Sequence, residues 1–390
     1  MEVKPGYKQT EVGVIPEDWD VRLLPEVVEI TNGKAHEQFV VEHGRYVVVN
    51  SKFISSDGKV RKYTNRNFCP AKRDSILVVM SDLPNGKALA KCFLVDADDC
   101  YAVNQRVCSF KAKKDHPAYL FYVLNRSAYF LQFDDGVQQT HLLNDVFRRC
   151  PVVLPSTVDE QRAIAEALSD MDALIGVLDR LIAKKRDLKQ AAMQQLLTGQ
   201  TRLPGFRAEW DVKRLGDVAE IVMGQSPSSS NYNTKGLGLP LIQGNADIAN
   251  RKTIRRVFTT EITKRGKCGD ILMSVRAPVG EISRAVFDVC LGRGVCAIHY
   301  ANDFMYHFLI SQEPRWARLS KGSTFDSVNS ADVRALEVRL PNDTAEQTAI
   351  GEVLSDMDAE LAALEQRRDK TLALKQAMMQ ELLTGRTRLI

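Results

Sequence analysis

A segment of 50 residues occurs twice in this chain of 390 residues, once near the centre and once at the end. Residues 154–203 and residues 340–389 align without a gap, and roughly 28 of the 50 positions are identical. An internal repeat takes precedence over any other pattern, because both copies must fold in the same way. The chain therefore consists of two copies of one plan, each with a divergent segment followed by a repeated one.

Both repeated segments are predicted to be long helices with defined ends. Thr157 and Glu160 have the spacing of a capping box, in which the hydroxyl and the carboxylate each satisfy a free backbone N–H. The second copy has the same spacing. Gly199 and Gly385 follow the last periodic residues and supply the left-handed conformation that ends a helix. About 40 residues at 1.5 Å each give a rod of ~60 Å.

Apolar residues in these helices step alternately by four and three positions, which indicates a seam for another helix. A long helix with one narrow apolar stripe cannot bury it alone, so the simplest partner for each seam is the other. We therefore expect an antiparallel coiled coil with an approximate twofold axis, although the copies diverge beyond Leu178. In the first copy the seam residues are Ile164, Leu168, Met171, Ile175, Leu178 and Ile182.

The divergent segments keep a common frame between the helices. Trp19 and Trp210 open them with similar residues, and Gly33 and Gly224 follow matching positions. Anchor residues that match while the residues between them differ are typical of one scaffold that binds two different targets. We predict an α+β chain with two domains, one at residues 1–153, which includes an N-terminal arm, and one at residues 204–339. The helical regions are predicted at residues 154–203 and 340–390. The arm is expected to lie near the C-terminal residues 384–389.

Composition places the chain among ordinary proteins that are not embedded in membranes. It is 44% apolar and 26% charged, with no run long enough to span a membrane and no apolar signal segment at its start, so we expect a cytoplasmic protein. The eight cysteines are scattered singly without CxxC, which favours reduced thiols. Cys290, Cys296, His299 and His307 lack the paired spacing of a metal site and are interpreted as core residues.

No arrangement of residues typical of catalysis is found in the sequence. Walker-type GxxxxGK[ST], GxSxG and HExxH motifs are absent, as is the Asp/Asn-Pro-Pro-aromatic motif of amino-methyltransferases. The pairs Asp170 with Asp172, and Asp356 with Asp358, sit two apart on a helix and point in different directions. The chain is therefore predicted to be a non-enzyme.

Specific motifs along almost the full chain resemble the DNA specificity subunits of type I restriction-modification systems. These are the doubled EQ(R/T)AI…LSDMDA…LKQA(A/M)MQ(Q/E)LLTG(Q/R)TRL block, the TEVGVIPEDW arm, the WDV(R/K) openings, and the DSIL…PNG and DIL…PVG turns. The resemblance implies two target-recognition domains joined by paired helices. It also implies double-stranded DNA, two modification subunits and restriction subunits as partners. S-adenosylmethionine, Mg and ATP would be bound by those partners, and no cofactor by this chain.

Two unlike domains on one rod are expected to read two unlike short DNA sequences, with the rod setting the gap at about one helical turn, ~34–36 Å. Arg276 precedes a Pro-x-Gly turn and can pair bidentately with guanine, with Lys87 as its counterpart in the first half. Arg251, Lys252 and Lys321 are expected to contact phosphate. The full set of candidates for DNA contact is Arg61, Lys62, Lys87, Arg106, Gln138, Gln139, Gln225, Gln243, Arg251, Lys252, Arg276, Arg293 and Lys321.

Glu160, Gln161, Glu346 and Gln347 are predicted to face outwards and to hold the modification subunits, with simple helix capping as the alternative. Two other functions remain open for the chain as a whole. It could be an interaction scaffold whose domains bind no DNA, or the specificity half of a single-chain restriction enzyme. A steep loss of DNA binding with rising salt would favour the specificity subunit over the scaffold.

Overall fold

The structure is a computed structural model that describes residues 4–83, 86–134, 136–321 and 327–389, without the side chains of 317–321. The chain divides into two compact units, unit 1 with Met1–Val177 and Arg368–Ile390, and unit 2 with Leu178–Arg367. Each unit thus contains one divergent segment and a part of each repeated segment. The domain boundaries drawn from the sequence follow the repeat instead, and they stay a prediction. No described helix is long and apolar enough to cross a membrane.

Unit 1 is a mixed domain in which β-strands of up to six residues alternate with short helices. Its helices are α1 Leu24–Val27, α2 Ser51–Ser55, α3 Pro117–Leu124, α4 Ala128–Leu131 and α5 Asn144–Arg148, followed by the long α6 Val158–Leu196. Its strands are β1 Tyr7–Thr10, β2 Gly13–Pro16, β3 Asp20–Leu23, β4 Val28–Asn32, β5 Val40–Val41, β6 Tyr46–Val49, β7 Tyr63–Thr64, β8 Ile76–Val79, β9 Ser81–Asp82, β10 Cys92–Leu94, β11 Tyr101–Val103, β12 Val107–Ala112, β13 Thr140–His141 and β14 Pro151–Leu154.

Unit 2 repeats this plan with one longer helix after its last sheet strand. Its helices are α7 Leu215–Val218, α8 Asp303–Lys321 and α9 Ser330–Arg334, followed by the long α10 Thr344–Leu382. Its strands are β15 Trp210–Arg214, β16 Glu220–Met223, β17 Tyr232–Asn233, β18 Leu239–Ile242, β19 Ile248–Ala249, β20 Lys252–Thr253, β21 Phe258–Thr259, β22 Arg265–Gly266, β23 Ile271–Ser274, β24 Ile282–Arg284, β25 Val289–Leu291, β26 Val295–His299 and β27 Glu337–Pro341.

The two units share a common set of sheet strands, to which unit 2 adds β19, β20 and β22. Unit 1 has the strand orders β10-β8-β12-β4 and β11-β6-β7-β5, and unit 2 has β16-β26-β23-β24-β20-β19 and β17-β21-β18-β25-β22. In both units a parallel pair, β6 with β11 and β18 with β25, lies in the second sheet. Each unit also pairs its opening strand with the strand that leads into the long helix, β3 with β14 and β15 with β27. The frame read from the sequence is confirmed.

The long helices run antiparallel inside each unit. In unit 1, Asp172 of α6 pairs with Lys375 of α10 at 2.6 Å, and Leu382 shares a buried cluster with Leu168. In unit 2, Lys185 pairs with Glu360 at 2.6 Å, and Lys189 pairs with Asp358. The pairs Asp172 with Lys375 and Asp358 with Lys189 occupy equivalent positions of the repeat, so the same ion pair forms once in each unit.

The seam has a second role that its spacing did not reveal. Ile164 and Leu168 are buried in the core of unit 1 among Phe110, Tyr119 and the residues of β14. In unit 2 the equivalent Ile350 and Leu354 join the core around Phe304. The first turns of each seam therefore anchor the helix to its own domain, because that is where the apolar area is buried. The seam residues of these turns therefore pack against the domain core as well as against the facing helix, as Leu382 in the same cluster shows for unit 1.

Candidate nucleic-acid interface

Four segments of unit 2 meet at one corner of the sheets. Gln225 follows β16, Gln243 follows β18, Arg276 follows β23, and Arg293 lies in the turn before β26. Backbone hydrogen bonds join these segments: Gln225 N to Leu291 O at 2.9 Å, Gly292 N to Ile242 O at 2.8 Å, and Val275 N to Gly294 O at 2.9 Å. We call Gln225, Gln243, Arg276 and Arg293 the unit 2 corner; all four are exposed.

The two glycines beside Arg293 are required by the close approach of the backbone. A Cβ at Gly294 would lie 2.0 Å from the carbonyl oxygen of Gln243, and one at Gly292 would lie 2.9 Å from its Cγ. Both distances are too short for a side chain to fit without displacing the neighbouring strand end. The Gly-Arg-Gly sequence therefore holds the backbone of Arg293 against the end of β18.

Three of the corner side chains line one cavity. Gln243, Arg276 and Arg293 surround a space of about 240 Å³ together with Ser274 and Asn245. Guanidinium groups donate hydrogen bonds in a fixed fork, and amides both donate and accept. Such a set can pair with the edges of DNA bases, where donors and acceptors alternate in the major groove.

Unit 1 has an equivalent corner, which the backbone contacts identify. A Cβ at Gly33 would lie 2.1 Å from Asn104 O and 2.6 Å from Val107 O. A Cβ at Gly224 of unit 2 would meet Gly292 O and Val295 O at the same two distances. The bonds Lys34 N to Val103 O at 3.0 Å, Asn104 N to Val49 O at 3.0 Å and Met80 N to Arg106 O at 2.9 Å match the three bonds of the unit 2 corner. By this match the unit 1 corner consists of Lys34, Asn50, Ser81 and Gln105.

The unit 1 corner differs from the unit 2 corner in chemistry and in the freedom of its side chains. Asn50 accepts a hydrogen bond from Phe53 N at 2.9 Å and so caps α2. Ser81 is buried, and its hydroxyl accepts a hydrogen bond from Gln139 Nε2 at 3.0 Å. Lys34 and Gln105 are exposed. One frame thus presents two arginines in unit 2, and one lysine and one exposed glutamine in unit 1.

Sequence reasoning missed Lys34, Asn50, Ser81 and Gln105 and misplaced Lys87. The structure assigns Ser81 as the counterpart of Arg276, because Leu142 N to Met80 O and Val328 N to Val275 O are equivalent bonds at 2.7 and 2.9 Å. The error arose from aligning the two Pro-x-Gly turns; Pro84 and Asn85 lie outside the described residues. The Gly33 and Gly224 anchors, already visible in the sequence, would have placed Lys34 opposite Gln225.

The remaining candidates of unit 1 lie at two places. Arg106 is exposed beside Gln105, and Gln138 and Gln139 are exposed just before β13, which pairs with β9. Arg61 and Lys62 are exposed in the loop between α2 and β7 rather than in the four corner segments. Nε of Arg61 donates to Gly58 O at 2.9 Å, which closes that loop.

Arg251 forms an ion pair and a backbone contact inside unit 2, and its contact with phosphate stays a prediction. Its guanidinium donates to both carboxylate oxygens of Glu313 at 2.5 and 2.8 Å and to Ile282 O at 2.9 Å. Glu313 raises the pKa of this guanidinium, and the pair ties the turn between β19 and β20 to α8. Lys252 is exposed on β20, and the side chain of Lys321 lies outside the described residues.

The four residues predicted to dock partners are buried, so their outward placement was wrong. Glu160 and Glu346 are 5% and 0% exposed, and each accepts two hydrogen bonds from an arginine, Arg388 and Arg202 respectively. Gln161 is 2% exposed and bonds His116 N at 2.8 Å and Asp115 at 2.9 Å. Gln347 is 4% exposed and bonds Pro341 O and the Tyr300 hydroxyl.

The capping interpretation of Glu160 and Glu346 holds only in part. Thr157 Oγ1 accepts a hydrogen bond from Glu160 N at 3.3 Å, as a cap does. In the second copy Asp343 accepts from Ala345 N at 2.8 Å. The two carboxylates turn instead toward arginines that come from the end of the opposite helix, because a buried carboxylate needs a cationic partner.

Comparison with known proteins then tests the resemblance. Residues 16–184 and residues 207–374 match the family described as the Type I restriction modification DNA specificity domain. The chain belongs to this specificity family. The two matched ranges begin near Trp19 and Trp210, so the doubled match follows the internal repeat. Membership confirms the predicted family, and with it a non-catalytic subunit that recognises DNA and works within a restriction-modification complex.

Relatives over the full length agree with this family. A putative type I restriction enzyme MjaX specificity subunit of Methanocaldococcus jannaschii is 28% identical over 415 residues, covering 98% of this chain and 97% of the relative. The MjaVIII specificity subunit of the same organism is 23% identical over 418 residues, covering 98% and 96%.

Solved structures share the fold of this specificity subunit. The S subunit of a type I system from M. genitalium has a TM-score of 0.68 at 15% identity, over 98% of each chain. A chain from a study of complex assembly and conformational transition of the type I R-M system has a TM-score of 0.58 at 24% identity, over 95% of this chain and 99% of that one. The predicted mixed fold with two repeated domains is confirmed.

An apolar groove lies on unit 1 of the specificity subunit, and most of its lining residues are repeated in unit 2. In unit 1 a groove of about 370 Å³ is lined by Ala167, Leu374, Ala377, Met378, Glu381, Leu382, Thr387 and Leu389. Leu374 at its edge is 54% exposed, and Leu188, at the equivalent position of unit 2, is 48% exposed. We call these surfaces the Leu374 patch and the Leu188 patch. Leu188, Ala191, Leu196, Thr201 and Leu203 are identical to their counterparts Leu374, Ala377, Leu382, Thr387 and Leu389.

Proposed function

We propose that each globular domain of this specificity subunit reads one half of an asymmetric bipartite DNA site. The observation that carries the proposal is the pair of corners, which share one backbone frame and carry unlike side chains. A shared frame would present each corner to the duplex in the same way, and unlike side chains would select different bases. An asymmetric site with two unlike halves is what this combination requires.

The long helices α6 and α10 are proposed to keep the gap between the half-sites constant. Each helix has 39 residues and is anchored to a domain core by its first seam residues. A helix with buried anchor residues resists bending more than a loop of similar length would. A constant gap would follow, of about one helical turn of DNA, ~34–36 Å.

The partners are proposed to be two copies of a modification subunit, with restriction subunits added to the complex. The Leu374 and Leu188 patches support two identical partners, because the repeat keeps an exposed leucine and an exposed alanine, Ala377 or Ala191, at both places while the domains diverge. Exposed apolar surface of this kind is typical of protein interfaces. S-adenosylmethionine, Mg and ATP would then be bound by the partner subunits, and the complex would work in the cytoplasm, where genomic DNA is accessible.

Mapping of methylated adenines tests the reading of bipartite sites. The chain is co-expressed with the modification subunit from the same source, and modified bases are located in the host genome by single-molecule sequencing. The expected result is one asymmetric two-part motif with a constant gap. A single continuous motif, or none although the complex forms, would contradict the proposal.

Salt dependence separates the proposal from the interaction scaffold. A complex that contacts several phosphates releases counterions, so the logarithm of its affinity for a cognate duplex falls linearly with the logarithm of salt concentration. We expect a steep slope for the complex of this chain with the modification subunit, and a shallower one for the modification subunit alone. Equal slopes would favour the scaffold.

A further inference from the structure

We propose that the two corners read different bases: Arg276 and Arg293 of unit 2 read guanine, and Gln105 of unit 1 reads adenine. The inference rests on the proposed function, since it names the bases that the two domains select. The charge partners, the attachment and the hydrogen-bonding capacity of the corner side chains support it.

The arginines of the unit 2 corner differ from neighbouring arginines in their charge partners. Arg251, Arg265 and Arg284 each pair with a carboxylate of unit 2, at 2.5, 2.5 and 2.7 Å. Among the described residues, no carboxylate forms an ion pair with Arg276 or Arg293. Their guanidinium groups therefore keep the donor fork that matches O6 and N7 of guanine in the major groove.

Both arginines are attached to backbone that is fixed on two sides. Arg276 forms an isolated β-bridge with Ser327, and the preceding Val275 bonds to Gly294 and to Val328. Arg293 lies between Gly292 and Gly294, which approach the end of β18 too closely for any side chain. A side chain on rigid backbone loses less entropy on binding than one on a flexible loop, and it holds its direction. These two positions are therefore suited to selecting a base.

The other two side chains of the unit 2 corner are less suited to that task. Gln243 Nε2 donates to the Tyr232 hydroxyl at 2.9 Å, which uses one of its two N–H donors and fixes the direction of the amide. Reading adenine requires the amide oxygen to accept from the N6 amino group while the amide nitrogen donates to N7, so both ends of the amide must be free to turn toward the base. Gln243 thus supports the corner more than it selects a base.

Among the described residues of unit 1, the corner residue whose amide is free to pair with adenine is Gln105. The carbonyl oxygen of Asn50 accepts from Phe53 N, so this amide cannot offer its oxygen freely to adenine N6. Ser81 is buried and bound to Gln139. Gln105 is exposed in the turn that corresponds to the turn of Arg293. Its amide has one donor group and one acceptor group, which complement N7 and the N6 amino group of adenine. Lys34, a point charge on a flexible stem, suits a phosphate contact.

Methylome mapping of variants tests the assignment in the intact complex with the modification subunit. Arg276→Gln and Arg293→Gln are compared with the wild type and with Arg214→Gln, an exposed arginine of β15 outside the corner. Each corner variant is expected to weaken the preference for guanine at one position of a single half-site by about 10- to 100-fold, the range for one bidentate contact. Gln105→Arg is expected to change only the other half-site, from adenine toward guanine.

An unchanged motif in both arginine variants would overturn the inference. So would arginine variants that alter the same half-site as Gln105→Arg does. Arg276→Lys keeps the charge and removes the fork, so it covers the case in which Arg276→Gln fails to fold. With Arg276→Lys we expect a complex of normal yield with a weakened guanine preference, and an unweakened preference would count against the inference. A bipartite wild-type motif with unresponsive corners leaves the proposed function intact and rejects this inference alone, whereas a wild type without a bipartite motif rejects the proposed function.

Discussion

Arg388 donates two hydrogen bonds to the buried carboxylate of Glu160, from Nε at 2.5 Å and from Nη2 at 2.9 Å. The same guanidinium donates to both oxygens of Asp18 at 2.8 Å and lies 5.6 Å from the centre of the Trp19 ring. Glu160 and Asp18 together raise the pKa of Arg388, and Arg388 lowers the pKa of Asp18. Arg388 therefore ties the residues after α10 to the start of α6 and to the N-terminal arm in unit 1.

The same joint forms in unit 2 from residues in the middle of the chain. Arg202 donates to both oxygens of Glu346 at 2.5 and 2.6 Å and lies 5.8 Å from the centre of the Trp210 ring. The N-terminal arm completes the joint of unit 1, where the Tyr7 hydroxyl donates to Gly385 O at 3.1 Å. The expectation that the arm lies near residues 384–389 is confirmed.

Loss of Arg388 is predicted to destabilise unit 1. Arg388→Ala leaves Glu160 buried without a cationic partner, which costs several kcal/mol for fully buried pairs. Because Arg388 is partly exposed and screened by solvent, we expect a loss of about 2 kcal/mol in the free energy of unfolding. Hydrogen exchange measured by mass spectrometry would show faster exchange in β3 and in the first turns of α6.

Arg386→Ala is the matched control for this joint. Arg386 is two residues away and is largely exposed, with a Glu381 carboxylate at 3.9 Å. Its removal should leave the exchange of unit 1 unchanged. Equal effects of the two substitutions would show that the joint contributes nothing beyond a surface charge.

The close approach of the backbone at the unit 2 corner predicts that alanine has different effects at two glycines of this corner, Gly294 and Gly244. In Gly294→Ala the new Cβ would lie 2.0 Å from Gln243 O, whereas Gly244→Ala would meet nothing within 4 Å. Forcing an atom into a packed site costs about 1–3 kcal/mol, so Gly294→Ala should lower both the stability of unit 2 and the affinity for DNA. Thermal unfolding and binding of the cognate duplex would measure both effects. A Gly244→Ala variant as damaged as Gly294→Ala would contradict the geometry described for this corner.

The buried His307 predicts a pH dependence in unit 2. Nε2 of His307 lies 3.0 Å from Ser355 Oγ, while Nδ1 has no hydrogen-bond partner. Burial, reinforced by Lys189 and Arg284 against the opposing carboxylates of Asp358 and Asp303, lowers the pKa of His307 to about 4. The ring is therefore neutral in the folded protein at neutral pH.

Stability is expected to fall as the pH falls from 6.5, the usual pKa of histidine, toward 4. In this range the unfolded chain binds a proton that folded His307 does not, so protons favour unfolding. The loss from this residue should approach about 3 kcal/mol near pH 4, from 1.36 kcal/mol for each unit of pKa. Urea unfolding of wild type and His307→Gln between pH 7.5 and 4.5 isolates the effect, because the acidic residues titrate in both proteins. Parallel pH curves for the two proteins would refute it.

The two apolar patches predict the stoichiometry of the complex. Leu374→Asp and Leu188→Asp each place a charge at an exposed position of one patch. Each single variant should bind one modification subunit, and the double variant none, because a charge is costly to bury at an interface. Native mass spectrometry would give the stoichiometry directly. Val212→Asp, which alters a residue 62% exposed on β15, is the control; two partners retained by the double variant would exclude these patches as docking sites.

The sequence was sufficient for the long helices, their glycine ends and the shared frame, because these depend on local spacing and on the repeat. Gly199 and Gly385 do adopt the left-handed conformation, with φ of 71° and 69°. The sequence was insufficient for residues whose role depends on a distant partner. Arg251 meets Glu313 and Glu160 meets Arg388 only in the folded chain, so neither pairing leaves a local signal. Exposure of a polar residue on a predicted helix cannot be read from its charge alone.

The two corners were predicted from the sequence only in part. Arg276 and Arg293 were found by residue type and by their turns, and the structure brings both to one cavity with Gln243. The counterpart of Arg276 in unit 1 was missed because Pro84 and Pro278 do not occupy equivalent positions of the sequence, so an alignment by these prolines shifts the frame. Backbone bonds between strands correct that shift, since they are independent of side-chain identity.

The central claim is that two unlike half-sites are read at a fixed gap, and a change of gap tests it most directly. Once the methylated motif is known, duplexes with the gap lengthened or shortened by one base pair are offered to the complex of this chain with the modification subunit. One added base pair rotates one half-site by about 34–36° relative to the other, since 10–10.5 base pairs make one turn. We predict that methylation of both altered duplexes falls by at least about tenfold while either half-site alone shows the same weak binding as before. Equal methylation of all three duplexes would contradict the account.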